Sequence, residues 1–127
     1  MSSRLSVLVV EDHQDLRDFY SLALRLEGFT VREAADGWEA LRMIDSQPPD
    51  VLVLDLMMPG LNGLSVQREI AAQAATRDIP IVIVTASDWQ VRGVNVACVL
   101  RKPIDPDTLV IAVRGCIGRV LPRSEPS

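Results

Sequence analysis

The chain has 127 residues, is 48% hydrophobic and carries a net charge of −4. That length suits one domain with a real core, and the apolar content excludes a disordered tail. The acidic balance argues against a nucleic-acid surface, which needs a basic patch, and no apolar run approaches the ~20 residues of a membrane span.

Met1-Ser2-Ser3-Arg4 leads into a strand-like segment without the charged-then-apolar pattern of a signal peptide, so a cytoplasmic location is expected. Cys98 and Cys116 lie in apolar segments with no His or Cys at metal spacing, and are expected to be buried, reduced thiols.

In chain order, Leu5–Val10 is a short, nearly continuous apolar run, as in a strand covered on both faces. Leu16, Phe19, Tyr20, Ala23, Leu24 and Leu26 then recur at helical spacing, and Gly28 supplies a stop. His13 is expected to start that helix. Phe29–Glu33 is a weaker, more polar strand, and so an edge. Trp38, Ala40, Leu41 and Ile44 mark a second helix that closes at Pro48-Pro49, with Trp38 packing on a helix face. Val51–Leu54 is a buried strand ending on Asp55, and Pro59-Gly60 and Asn62-Gly63 are turns. A third helix is expected over Leu64–Ala75, a fourth strand over Ile81–Val84 and a fifth over Val96–Leu100. Asp105-Pro106 reads as an N-cap followed by Pro at the first helical position. That last helix should reach about Val120, so the domain is expected to span 1–121, with 122–127 a flexible tail.

Alternating strands and helices define an α/β domain, a doubly wound parallel sheet with its strand carboxyl ends on one edge. Ligands bind at that edge in such sheets. The strand ends there carry Glu11, Asp12, Asp55, Thr85 and Lys102, the last being the only lysine beside twelve arginines. Singly, each is ordinarily a solvated loop acid, a strand-end hydroxyl or a surface cation. Jointly they place three carboxylates, a hydroxyl and an ammonium on one rim. Clustered carboxylates repel and favour a hard divalent cation, and Mg²⁺ takes few carboxylates plus water and phosphate oxygens. An acid beside such a cation, faced by Lys and Thr, suits phosphoryl transfer to Asp55.

"VLVVEDH", "VLVLDLMMPGLNG", "VTAS" and "RKPI", in that order, resemble the receiver domain of two-component response regulators over about Leu5 to Val120. The resemblance implies a flavodoxin-like, five-stranded sheet of order 2-1-3-4-5. It implies a phosphoacceptor at Asp55, with Mg²⁺ held by Asp12, Asp55 and the Met57 carbonyl and by Glu11 through a water. Thr85 would bond the phosphoryl group, Lys102 would pair with it, and Lys102-Pro103 would be cis. The implied partners are a histidine kinase or histidine phosphotransfer protein as donor, and a downstream protein. No direct nucleic-acid or membrane contact is implied, and the expected state is a monomer or weak dimer. The domain would take its phosphoryl group from phosphohistidine by its own chemistry and release it to water, with Met57 and Ser87 influencing that rate.

Three departures from the family pattern stand out. Val99 holds the place of an aromatic switch residue, and a valine cannot swing a ring between two environments. Asn62 replaces the usual Asp of the turn, with little consequence. The Thr-to-Lys segment is several residues shorter than usual, close to the ~10–12 that a parallel crossover needs. The fourth helix, around Asp88–Arg92, is therefore expected to be short or missing, with Trp89 capping the segment. Val99 and the short crossover leave open an atypical receiver that binds partners independently of phosphorylation. A phosphatase of the haloacid dehalogenase type would need an acid where Met57 stands, and a flavin phosphate would be repelled by Glu11-Asp12.

Overall fold

The computed structural model describes residues 4–86 and 97–120. The expectations for the crossover, Ser87 and Trp89 fall on residues 87–96, and those for the tail on 121–127; both lie outside the described residues. Among the described residues, five strands and four helices follow in order: β1 (Ser6–Val10), α1 (Gln14–Leu26), β2 (Thr30–Ala34), α2 (Gly37–Ser46), β3 (Val51–Asp55), α3 (Gly63–Ala71), β4 (Ile81–Thr85), β5 (Cys98–Arg101) and α4 (Pro106–Val120). The strands form one parallel sheet in the order β2-β1-β3-β4-β5. β2 is an edge strand, as its polar sequence suggests.

Side chains alternate across a strand, and the two faces of this sheet differ in size. Val7, Val9, Val53, Val82 and Val84 pack with Tyr20 and Leu24 of α1 and with Leu109 and Val113 of α4. Leu8, Leu52, Leu54, Ile81 and Ile83 pack on the other face with Ala40 and Ile44 of α2 and Val66 and Ile70 of α3. One side is lined largely by valine and the other by leucine and isoleucine. A one-residue slip would exchange the two sets.

The helix ends explain where each element starts. His13 caps α1, its side chain accepting from Leu16 N–H, which places it at the helix start as expected. Asp36 and Asn62 cap α2 and α3 in the same way, and the Asp105 carboxylate accepts from Thr108 N–H at 2.8 Å. Gly28 follows α1 at φ +95°, a left-handed position that suits glycine.

Several expectations need correction. α3 stops at Ala71 rather than Ala75, because the Thr76 hydroxyl donates to the Ile70 carbonyl at 2.8 Å and turns the chain back. β5 is described over Cys98–Arg101, one residue beyond the expected end at Leu100, while its expected start at Val96 lies outside the described residues. Cys116 is buried, but Cys98, on an edge strand, is only half-buried. Trp38 is not packed away: it is 60% exposed, at the rim of a groove that Leu41 of α2 and Ile70 of α3 also line.

Gly37 and Gly63 bring both helix starts onto the loop after β3. A Cβ at Gly37 would meet the Leu61 carbonyl oxygen and approach Val66 Cγ2 at 2.9 Å. One at Gly63 would meet the Asp55 carbonyl oxygen and lie 2.7 Å from Leu56 Cα. Helix propensity alone would favour alanine at Gly63 by at most about 1 kcal/mol. Overpacking costs roughly 1–3 kcal/mol, and the obstacles here are main-chain atoms that cannot rotate aside. Gly63→Ala is therefore expected to lower the urea midpoint, and a variant as stable as the wild type would refute that balance.

Candidate functional site

The parallel topology gathers the carboxyl ends of β1, β3, β4 and β5 on one edge, and the chemistry-bearing side chains stand there. Glu11 and Asp12 follow β1, Asp55 ends β3, Thr85 ends β4 and Lys102 follows β5. Glu11, Asp55 and Thr85 are buried and Asp12 is exposed. One carboxylate oxygen from each of Glu11, Asp12 and Asp55 lies within 4.8 Å of the others.

Lys102 reaches into this group from the far side of the sheet. Its Nζ donates to Glu11 Oε1 at 2.8 Å and stands 3.5 Å from Asp55 Oδ2. Glu11 is held on several sides: Oε2 accepts from His13 N–H at 3.2 Å, its carbonyl from the Arg17 guanidinium at 2.8 Å, and its own N–H donates to the Ala34 carbonyl at 3.1 Å. Asp55 Oδ1 accepts from Met57 N–H at 3.1 Å. The Lys102 N–H donates to the Thr85 carbonyl at 2.8 Å, tying the hydroxyl-bearing strand end to the lysine. The Lys102–Pro103 peptide is cis.

The electrostatics follow from this crowding. Burial, then the Glu11 charge, push the Asp55 carboxyl up to about 7, against the pull of Lys102 and the Met57 N–H. Burial works against the Lys102 charge, but its hydrogen bond to Glu11 and the nearby Asp55 outweigh that and raise its pKa. Lys102 pairs with Glu11 and Asp55 while Asp12 adds a third acid, so with Asp55 ionised the rim carries an excess of negative charge.

That excess and the short oxygen separations fit a hard divalent cation, which would take Asp12 and Asp55 directly. Mg²⁺ is expected to raise the melting temperature more at pH 8 than at pH 5.5, where Asp55 is protonated. At a hundredfold excess over Kd the stabilisation would be about 2.7 kcal/mol. Equal shifts at the two pH values would place the ion elsewhere.

Val99 faces outward on β5 and is 41% exposed. The sequence reading did not single out Tyr20, which is 2% exposed and borders a cavity with Lys102 and Ala86. Its only sequence signal is a phenol within an apolar helical stripe.

A doubly wound sheet with an acidic trio and a lysine at its carboxyl edge defines a receiver-type fold. The chain belongs to that family: residues 7–114 match the response regulator receiver domain. It is 36% identical over 126 residues to the response regulator MprA of Mycobacterium avium, covering 95% of this chain and 54% of that one. It is 34% identical over 121 residues to the phosphate regulon transcriptional regulatory protein PhoB of Klebsiella pneumoniae, covering 91% and 53%. The chain thus spans about half the length of these curated relatives. Among solved structures, the Vibrio cholerae chemotaxis protein CheY4 superimposes with a TM-score of 0.84 at 28% identity, covering 90% of this chain and 99% of that one. A sensor protein from Polaromonas sp. JS666 gives 0.85 at 27% identity, covering 92% and 98%. Among the described residues no helix is long and apolar enough to cross a membrane.

Proposed function

We propose that this receiver accepts a phosphoryl group on Asp55 from the phosphohistidine of a kinase or phosphotransfer protein and passes the signal to a protein partner in the cytoplasm. The observation that carries this reading is the trio of carboxylate oxygens within 4.8 Å, with one ammonium 2.8 Å from Glu11 and 3.5 Å from Asp55. Asp12, Asp55 and the Met57 carbonyl, with Glu11 through a water, would hold Mg²⁺, which when bound supplies positive charge against phosphoryl oxygens. An Asp55 carboxylate oxygen attacks phosphorus in line. The new P–O bond forms as the P–N bond breaks, and the donor imidazole leaves and is protonated. The Thr85 hydroxyl donates to a phosphoryl oxygen, and Lys102 shifts its ammonium onto the charge that develops there. Attack by water on the same phosphorus later returns the carboxylate.

Phosphorylation adds about −1.5 to −2 charges at the rim and shifts a pre-existing equilibrium. A Mg²⁺-dependent pull-down after treatment with an acyl phosphate, comparing wild type with Asp55→Asn, tests the reading. Partner capture by phosphorylated wild type alone supports it. Equal capture by both proteins, with or without phosphate, would replace it with the phosphorylation-independent binding module that the exposed Val99 favours.

A further inference from the structure

The four-carbon stem of Lys102 is flexible, yet its ammonium must meet Glu11 in one state and a phosphoryl group in another. Something beside it has to limit its wandering without neutralising it. α1 starts at the carboxyl edge, and helical side chains lean toward the helix N-terminus. Tyr20, in the second turn, is thereby carried back toward the rim. It is 2% exposed and lines one cavity with Leu16, Ala86, Lys102, Pro103 and Ile104. It belongs to the apolar layer formed on that face by the sheet valines with Leu24 and Leu109, and its ring centroid lies 6.1 Å from that of Phe19.

A phenylalanine would satisfy that apolar wall as well as a tyrosine does. The hydroxyl is the added group, and a phenol buried in a core ordinarily has a polar partner at its tip. Here the charges acting on that hydroxyl, after burial itself, are those of Lys102, Glu11 and Asp55. We propose that Tyr20 is a positioning residue for Lys102: its ring walls the lysine stem, and its phenol places an uncharged dipole beside the ammonium. The role rests on the phosphoryl-transfer reading above, because it holds the lysine where a phosphoryl group is to arrive.

Lys102 is the only lysine in the chain, so ¹³C-lysine labelling gives a single ε-methylene signal. Wild type, Tyr20→Phe and Tyr20→Leu are compared in the full chain, with the amide spectrum as a check on folding. Tyr20→Phe is expected to keep the amide spectrum, shift the ε-methylene resonance and lower its order parameter. It should slow Asp55 phosphorylation by an acyl phosphate roughly fivefold, as expected for losing one modest hydrogen-bond-type interaction. Tyr20→Leu should move the resonance further. An unchanged ε-methylene signal and rate in a folded Tyr20→Phe would overturn the proposal and leave the ring as core packing. If wild type takes up no phosphate, the phosphoryl-transfer reading fails by itself. The lysine resonance still decides whether Tyr20 positions Lys102.

Discussion

Asp55→Asn is expected to take up no phosphate from an acyl phosphate and, without metal, to be more stable than the wild type above pH 7. The first effect is chemical, since an amide oxygen is too weak a nucleophile to displace the leaving group and no second acid ends β3. The second is linkage. The Asp55 carboxyl goes from 3.8 in an unfolded chain to about 7 in the fold, because of burial and then the Glu11 charge. A raised folded pKa means that the folded state binds the proton more tightly. Its stabilising contribution is complete below pH 3.8, falls as pH rises and is gone above about 7. The span of about three pH units bounds the effect at roughly 4 kcal/mol. Urea titrations from pH 5 to pH 8 should therefore show wild type losing stability over that range and Asp55→Asn losing much less. Parallel losses in both proteins would place the titrating group elsewhere.

Lys102→Met should carry the next largest effect. Methionine nearly conserves the volume and removes the one ammonium that faces Glu11 at 2.8 Å and Asp55 at 3.5 Å. Breaking a buried ion pair from one side costs about 3–5 kcal/mol. The lysine side chain is 16% exposed, which brings the expectation to roughly 2–4 kcal/mol at pH 8. The loss should shrink at pH 5, where Asp55 carries a proton and only Glu11 lacks its partner. Phosphorylation by an acyl phosphate should slow about 10²–10³-fold, the scale for removing one preorganised charge partner. A rate within roughly threefold of wild type would show that Lys102 is structural only.

Much of this was legible in the sequence, for physical reasons that can be named. β1, β3 and β4 are buried on both faces, so they are written as unbroken apolar runs. The helix starts at His13 and Asp105 use side chains whose chemistry is local, whereas Asn62 was legible only as a turn and proves to cap α3. Glu11, Asp12, Asp55, Thr85 and Lys102 were legible because a parallel topology forces strand ends onto one edge. What escaped depends on contacts between distant segments. The early stop of α3 turns on Thr76 reaching Ile70, and no periodicity records that bond. Trp38 stands at helical spacing, yet lies at a groove rim rather than beneath a neighbour. Tyr20 keeps the apolar spacing of α1, so its position beside Lys102 is visible only once β5 and α1 are brought together.

The two glycines against the loop after β3 have a consequence for binding. Ordering a residue's backbone costs roughly 1–2 kcal/mol. A loop that stayed slack until its ligand came would withdraw that amount, residue by residue, from the observed affinity. Here the starts of α2 and α3 close directly on Leu61, Asp55 and Leu56, so the segment bearing Met57 is set when the helices pack. A cation arriving at the rim would find that segment already shaped, and most of its attraction would appear as affinity. The strength with which this rim would hold an ion is thus partly set by two glycines at helix starts, which offer the ion no ligand.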